Sequence, residues 1–578
     1  MPRTSCSALG PRTSSSPGSN ARAIPSRSTW STTRCTQWSA IGSTPIDHAG
    51  HVAILMDESW PAQEARRAPH GMIATVNPLA SAAGLRILRH GGNAVDAAIA
   101  AGAVLTVVEP LSGQLGGDAF MLIAEGGPNA VTAINGSGAA PLASRLDRFA
   151  GGIPESGWLA ATVPGIVDAW RVALDRHGTL PPAALLEDAI AYAEHGFPVT
   201  GRLARNLREF MKIANPATLA VFAPDGRPPG EGSVLRQPDL ARTLRNLAEG
   251  LDGFYRGPIA AAIVQASAQG GGLFSAGDFA EHRTEVLKPI STTYRGWTVL
   301  EQPPVSQGVI LLVALNIIET SRIPADPAAR VHQQVEAHKL ALGERLRRVG
   351  DPRVSKLDLE EIVSKERANA LAARIDMQRA APLPLQPAGQ PDTTYLCVVD
   401  ADRTVVSYIH SLYASGGNGV IADGTGILLN NRMRCFNLEP DSPNQLAPGK
   451  RPMHTLNSWM LLRSETPAVV GGTPGSFWQV QTNLQLISNL VDRGMPLQMA
   501  VDAPRWTMGA PTSWADAALS LEGRFGEGTA ARLKEWGHSV SLVGNWQAGG
   551  AAQLIQLDGA MLIGAGDPRP GTSCVIGY

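Results

Sequence analysis

PDTTYLCVVDADRTVVSYIHSLY, running from Pro391 to Tyr413, holds two β-rich runs separated by a short turn. TYLCVVD and TVVSYIHS have the apolar and β-branched texture of strands, and Ala401, Asp402 and Arg403 between them are turn residues. If Asp400 pairs with Thr404, counting outward along both strands brings Thr393 opposite Ser411. Opposed β-carbons in an antiparallel pair lie about 4.5–5.5 Å apart, so two hydroxyls there reach each other. A β-bulge would shift this pairing by one residue.

That juxtaposition has a chemical use. A threonine hydroxyl is a weak nucleophile until a base stands beside it. A chain cut in front of Thr393 would free an α-amino group with a reference pKa of about 7.7–8, so one residue would hold nucleophile and base together. The same hydroxyl is suited to making the cut, by attacking the carbonyl of Asp392 and leaving an ester for water to open. Two threonines at a strand start are also ordinary, so the hairpin alone does not decide.

The chain around it has 578 residues, enough for two or more domains or one large unit with a deep core. Hydrophobic residues make up 44 % and charged ones 17 %, a globular composition. A net charge of −1 gives no case for nucleic acid or an anionic membrane as partner. VILLVALNII, Val309 to Ile318, is about half the length of a bilayer span, so no membrane segment is expected. Cys6, Cys35, Cys397, Cys435 and Cys574 are odd in number and none has CxxC spacing, which argues against a disulfide framework or a zinc site. Isolated thiols fit a reducing, cytoplasmic compartment.

The first 46 residues carry five arginines and no acid before Asp47, with much Ser, Thr and Pro but no secretory apolar core. Residues 1–50 read as a disordered leader. From there GMIATVNPLASAAGLRILRHGGNAVDAAIAAGAVLTVVEP reads as a strand, a helix from about Pro78, and a second helix capped by Asn93 with Asp96 three residues on. SGQLGGDAFMLIAE is a Gly-rich turn feeding a buried strand; it lacks the spacing of a nucleotide-binding loop. Residues 154–379 are mostly helical in pattern, with AALLEDAIAYAEHG and VHQQVEAHKLALGERLRRVGD as helices. APLPLQPAGQPD, Ala381 to Asp392, reads as an exposed extended linker. Beyond it come the hairpin, AVVGGTPG, a helix near VQTNLQLISNLVDRG, and short strands. This mixture predicts an α+β fold with sheets covered by helices.

Taken in order, GGNAVDAAIAA, QLGGDAFML, ATVPG, PPVSQG, DTTYLCVVD, GILLNN, PGKRPMHTL, GGTPGS and DAPRW resemble the γ-glutamyltransferase (γ-glutamyltranspeptidase) family of N-terminal nucleophile hydrolases. The resemblance runs from about Met72 to the end. It implies a four-layer αββα sandwich and a proenzyme that cleaves itself between Asp392 and Thr393. A large chain, 51–392, and a small chain, 393–578, would remain associated, with self-association of the whole left open. Thr393 is then the nucleophile, Ser411 the hydroxyl that positions it, and Gly475 and Ser476 the backbone donors of an oxyanion hole. Ser476 stands where a glycine is usual. The reaction implied is cleavage of a small-molecule amide through an acyl-threonine ester that either water or an acceptor amine then takes up, as amidohydrolase or acyltransferase, with no metal or organic cofactor required. An uncleaved, non-catalytic homologue with a binding or scaffold role is the alternative.

The substrate-binding positions depart from the family's glutamyl members. Ser137 stands where they carry an arginine for the α-carboxylate, and Cys435 where they carry an aspartate for the α-amino group. His454 and Thr455 replace their serine pair. Arg432 is gained, with Arg434 two residues on; both point the same way if the segment is extended. Guanidinium binds carboxylate bidentately. Tyr413, Arg432, His454 and Thr455 are therefore expected around an acyl group that carries a carboxylate and no α-amine, as in the oxamate amidohydrolase and glutaryl acylase branches. The γ-glutamyl alternative stays open.

Overall fold

The computed structural model describes residues 64–125, 131–382, 392–509 and 518–578. The expected leader over 1–50 and most of the proline-rich linker lie outside these residues. Strands Thr394–Val399 and Val405–Ser411 form the hairpin, paired from Thr394 with His410 to Val399 with Val405, without a bulge. Asp400 fastens the turn: its Oδ1 accepts from Thr404 N at 2.9 Å and its Oδ2 from Ala94 N at 2.8 Å. Ala94 opens the helix Ala94–Val108, which Asn93 and Asp96 close with the expected capping box. The hairpin's turn and the first buried helix are thus locked together.

The hairpin sits at the centre of a seven-stranded sheet. In spatial order its strands are Cys574–Gly577, Met72–Thr75, the two hairpin strands, Asp118–Ala124, Val131–Gly136 and Glu285–Leu287. A second seven-stranded sheet runs Arg66–Ala68, Met561–Gly566, Gln553–Asp558, Thr466–Gly472, Trp459–Arg463, Trp297–Glu301 and Ile290–Tyr294. Three strands of these sheets fall inside the stretch 154–379 that reads as mostly helical, between its helices.

Strand alternation decides the layers. Leu396, Val398, Val406 and Tyr408 face a helical layer built on Ala94–Val108 and Pro78–Arg89. Tyr395, Cys397, Val399, Val405 and Ile409 face the other way and meet Leu300, Met460, Val470 and Ile555 of the second sheet. The outer face of that sheet, with Trp459, Leu461 and Leu554, packs under helices Gly308–Glu319, Pro327–Arg348 and Trp478–Val491. Helix, sheet, sheet, helix is the αββα sandwich. At Gly102 helix Ala94–Val108 comes so close to the hairpin that a β-carbon would lie 2.5 Å from Tyr408 Cε1.

Gly308–Glu319 contains the apolar run VILLVALNII and is buried along almost its whole length by this layering. Among the described residues no helix is long and apolar enough to cross a membrane.

Candidate active site

Thr393 lies buried immediately before the first hairpin strand, next to Asp392. The register carries one residue past the last strand pair and brings its hydroxyl opposite Ser411. Thr393 Oγ1 is 3.2 Å from Ser411 Oγ and 2.6 Å from the carbonyl oxygen of Asp392. Ser411 Oγ donates to that same carbonyl at 2.9 Å and accepts from Tyr413 N at 2.8 Å, which sets its lone pairs. Both hydroxyls therefore converge on one carbonyl, the one in front of Thr393.

Asp392 is itself clamped. Its Oδ1 accepts from Ser112 Oγ at 2.6 Å, Arg202 Nη2 at 3.0 Å and Thr393 N at 3.0 Å. Arg202 Nη2 also lies 3.0 Å from Ser112 Oγ and 3.8 Å from Glu109 Oε2, and Glu109 is held by Asn77 Nδ2 at 3.0 Å. Burial weakens the Arg202 cation, but Asp392 and Glu109 outweigh it and raise its pKa. Burial pushes the Glu109 carboxyl up against the lowering effect of Arg202. Arg202 lies in helix Gly201–Phe210 outside every quoted motif, and the motif of Ser112 reads only as a turn, so neither residue signals this role in the sequence. Arg202→Met is expected to slow cleavage before Thr393 about tenfold, the loss of one charge-assisted hydrogen bond of roughly 1.5 kcal/mol. The half-time of fragment appearance on denaturing gels measures it.

The motifs meet through Asn430. Its Oδ1 accepts from Thr162 N, Thr162 Oγ1 and Arg432 N, and its Nδ2 donates to Gly116 O and Thr162 O. One amide thus ties ATVPG, QLGGD and GILLNN into a single corner.

Gly475 and Ser476 form a tight turn just before helix Trp478–Val491, with φ +129° and +51°. Neither backbone N–H has an acceptor among the described residues. Gln307 Nε2 holds the turn by donating to Ser476 O at 2.9 Å, and it also donates to Thr455 O. A glycine suits +129°; a serine at +51° is strained, and its Oγ is buried without a partner. Ser476→Gly is therefore expected to stabilise the protein by about 0.5–1 kcal/mol, the relief of the left-handed residue less the added freedom of the unfolded chain. Urea unfolding measures this, and the amide donor remains. Thr393 and Gly475 open on a common cavity of about 1010 Å³, walled also by Asn431, Arg434, Trp478 and Trp546.

Tyr413, Arg432, His454 and Thr455 come together, but behind this cavity and fully buried. Arg432 does not lie in an extended segment. Residues Arg432–Cys435 form a 3-10 turn, so the expectation that Arg432 and Arg434 point the same way is corrected: a two-residue step turns the side chains apart. Arg434 reaches the cavity and pairs with Glu155 at 2.8 Å. Arg432 turns inward, with Nε 3.5 Å from Asp118 Oδ2, Nη1 3.4 Å from Thr455 Oγ1 and 3.8 Å from Cys435 Sγ. Its guanidinium lies 4.9 Å from the centre of the Tyr413 ring, and Tyr413 holds φ +85°. His454 stands edge-on to Phe120 and 3.8 Å from Asp118 Oδ2. Burial first, then Arg432, keep its imidazole pKa well below the usual range, so it is neutral. Burial raises the Asp118 carboxyl to about 6 despite Arg432. Ser137 is buried and bonded to Asn135 Oδ1 through both N and Oγ.

Elsewhere, His332, Glu336 and His538 place ligand atoms within 4.8 Å of one another. Their needs are already met: His332 Nδ1 and His538 Nε2 bond at 2.7 Å, Lys339 Nζ lies 2.8 Å from Glu336 Oε1, and Ala381 N donates to Glu336 Oε2 at 3.0 Å. A metal there would have to displace a lysine.

Residues 80–576 match the family model described as gamma-glutamyltranspeptidase. The chain is 38 % identical over 516 residues to the oxamate amidohydrolase proenzyme of Klebsiella pneumoniae, covering 86 % of this chain and 97 % of that one. It is 38 % identical over 509 residues to the glutathione hydrolase-like YwrD proenzyme of Bacillus subtilis, with the same two coverages. In three dimensions it matches the cephalosporin acylase of Bacillus halodurans with a TM-score of 0.83 and 36 % identity, covering 91 % of this chain and 99 % of that one.

Proposed function

The chain belongs to the γ-glutamyltranspeptidase family of self-processing amidohydrolases, and from that premise we propose that Thr393 is its nucleophile and Asp392–Thr393 its cleavage site. The observation that carries this is the convergence of Thr393 Oγ1 and Ser411 Oγ on the Asp392 carbonyl, at 2.6 and 2.9 Å. Thr393 Oγ adds to that carbonyl carbon while Ser411 Oγ holds the oxygen. The C–N bond then breaks, the hydroxyl proton passes to the nitrogen, which leaves as the Thr393 amine, and the acyl group rests on Oγ as an ester. Water hydrolyses the ester, freeing the Asp392 carboxylate and restoring the hydroxyl. The strands around the cut come from both sides of it: Thr394–Val399 pairs with Met72–Thr75, and Val405–Ser411 with Asp118–Ala124. Two fragments would remain hydrogen-bonded into one sheet.

In the mature form the Thr393 amine takes the hydroxyl proton as Oγ attacks a substrate amide. The N–H groups of Gly475 and Ser476 receive the oxyanion, the leaving amine departs with the proton, and water releases the acyl group. Edman sequencing of the small fragment tests the site: it must begin at Thr393. The acid limb of kcat/KM should report the amine, which must be neutral to act, with activity falling as pH drops through about 7.7–8. A pH–rate profile that stays flat to pH 6 would contradict it.

The substrate of this reading is a monoamide of a dicarboxylic acid. Arg432 supplies a cation in place of the one lost at Ser137, and with Cys435 at the ammonium-binding position there is no acid there to hold an α-amine. The Klebsiella relative is named for oxamate, itself such a monoamide. A panel of glutaryl anilide, γ-glutamyl anilide and oxamate decides; preference for the γ-glutamyl compound overturns the substrate class while leaving the nucleophile untouched. A cytoplasmic location belongs to the same reading, supported by the free thiols of Cys397, Cys435 and Cys574.

A further inference from the structure

Arg345, Arg432 and Arg505 are among the largest fully buried side chains of the protein. Arg505 is neutralised by Asp567, Nη1 to Oδ2 at 2.5 Å. Arg345, near the end of helix Pro327–Arg348, meets no carboxylate within ion-pair distance among the described residues. Its Nη2 donates to the backbone oxygen of His454 at 2.7 Å, and its Nε and Nη1 have no partner. Arg432 is in the same condition, with Nε and Nη2 lacking a hydrogen bond and only Asp118, at 3.5 Å, to oppose its charge. A buried guanidinium left without an anion is strongly destabilising, so such a group is a place where a ligand's charge belongs.

The two cations act on one set of buried side chains. Arg345 holds the backbone of His454, Arg432 Nη1 reaches Thr455 Oγ1, and Cys435 and His454 lie within the electrostatic reach of both guanidiniums. His454 is neutral, and burial likewise keeps the Cys435 thiol and the Tyr413 phenol protonated. Arg451 nearby is matched by Glu285. Two guanidiniums against one carboxylate leave the cluster short of a single negative charge. It is also joined to the chemistry: Tyr413, whose ring lies under Arg432, donates its N–H to Ser411, and Gln307 bridges Thr455 to the Gly475–Ser476 turn.

The geometry points to Arg345 as a second specificity residue, which together with Arg432 holds the single carboxylate of the acyl group. This rests on the monoamide reading above and deepens it, since sequence motifs single out Arg432 but nothing about Arg345. It also says why an α-ammonium is refused: a further cation would join a cluster already one anion short.

The test compares glutaryl anilide with butyryl anilide, which lacks only the carboxylate, on the processed protein. Wild type should prefer the glutaryl compound by about a hundredfold or more in kcat/KM. Arg345→Met should cut that preference to below about threefold, with the loss mainly in KM, and Arg345→Lys should restore part of it. If Arg345→Met keeps the full preference while Arg432→Met loses it, Arg345 is structural and the inference fails with the substrate class intact. If wild type shows no preference, the monoamide reading falls and this inference with it. Should both Arg345 variants fail to fold, a crystal structure of wild type with glutarate decides: a carboxylate on Arg345 sustains the assignment, and glutarate bound elsewhere overturns it.

Discussion

Thr393→Ala should be recovered as one uncleaved chain with no amidase activity. The side chain lost carries the hydroxyl that lies 2.6 Å from the Asp392 carbonyl oxygen, and among the described residues the one other hydroxyl bonded to that oxygen is Ser411, which belongs to the facing strand. Removing a hydroxyl nucleophile costs on the order of a millionfold in kcat in hydrolases of this logic. Here the loss is doubled, because without the cut no free amine forms to serve as base. Fold damage is a poor rival explanation, since Thr393 precedes the strand and only a methyl-sized remnant changes in a buried turn. Thr393→Ser separates the two roles: the hydroxyl survives, so the chain should still divide, more slowly because the methyl no longer fixes the rotamer. A Thr393→Ala protein that appears as two bands on a denaturing gel would end the proposal.

Ser411→Ala should slow self-cleavage by about 10²–10³-fold, the usual effect of deleting one preorganised donor to a developing oxyanion. Ser411 Oγ is such a donor, 2.9 Å from the Asp392 oxygen, and Tyr413 N fixes it from behind at 2.8 Å. Its second contact, 3.2 Å to Thr393 Oγ1, steers the nucleophile. Time courses of precursor decay give the rate, and thermal unfolding of the precursor controls for stability. If cleavage keeps its rate, Ser411 is an ordinary strand residue and the carbonyl is held by other donors.

Much of this was legible locally. The hairpin register followed from two strand-like runs and one turn, and the observed pairing of Asp400 with Thr404 keeps it. Asn93 and Asp96 announce their helix because a capping box is a contact three residues long. The alternation of Leu396 and Val398 against Tyr395, Cys397 and Val399 even marks a strand buried on both faces. Where reading stopped short, the partner lay far away. An extended segment would set Arg434 beside Arg432, and the 3-10 turn separates them. Arg202 gave no signal, because nothing near it in the chain tells that it will face Asp392.

Although the strands from Glu285 to Glu301 escaped it, the amino-acid string alone was enough for the hairpin strands, the capped helix after Asn93, the hydroxyl pair at the head of the hairpin and, through its ordered motifs, the family. These depend on contacts a few residues apart, or on periodicity, which a linear string displays. Only the tertiary structure decided which charges meet: Asp118, Arg345, Arg432 and His454 arrive from four separate elements and share one buried space. The strength of a charge depends on distance and on the exclusion of water. Neither exists until the two sheets and their helices have closed around it.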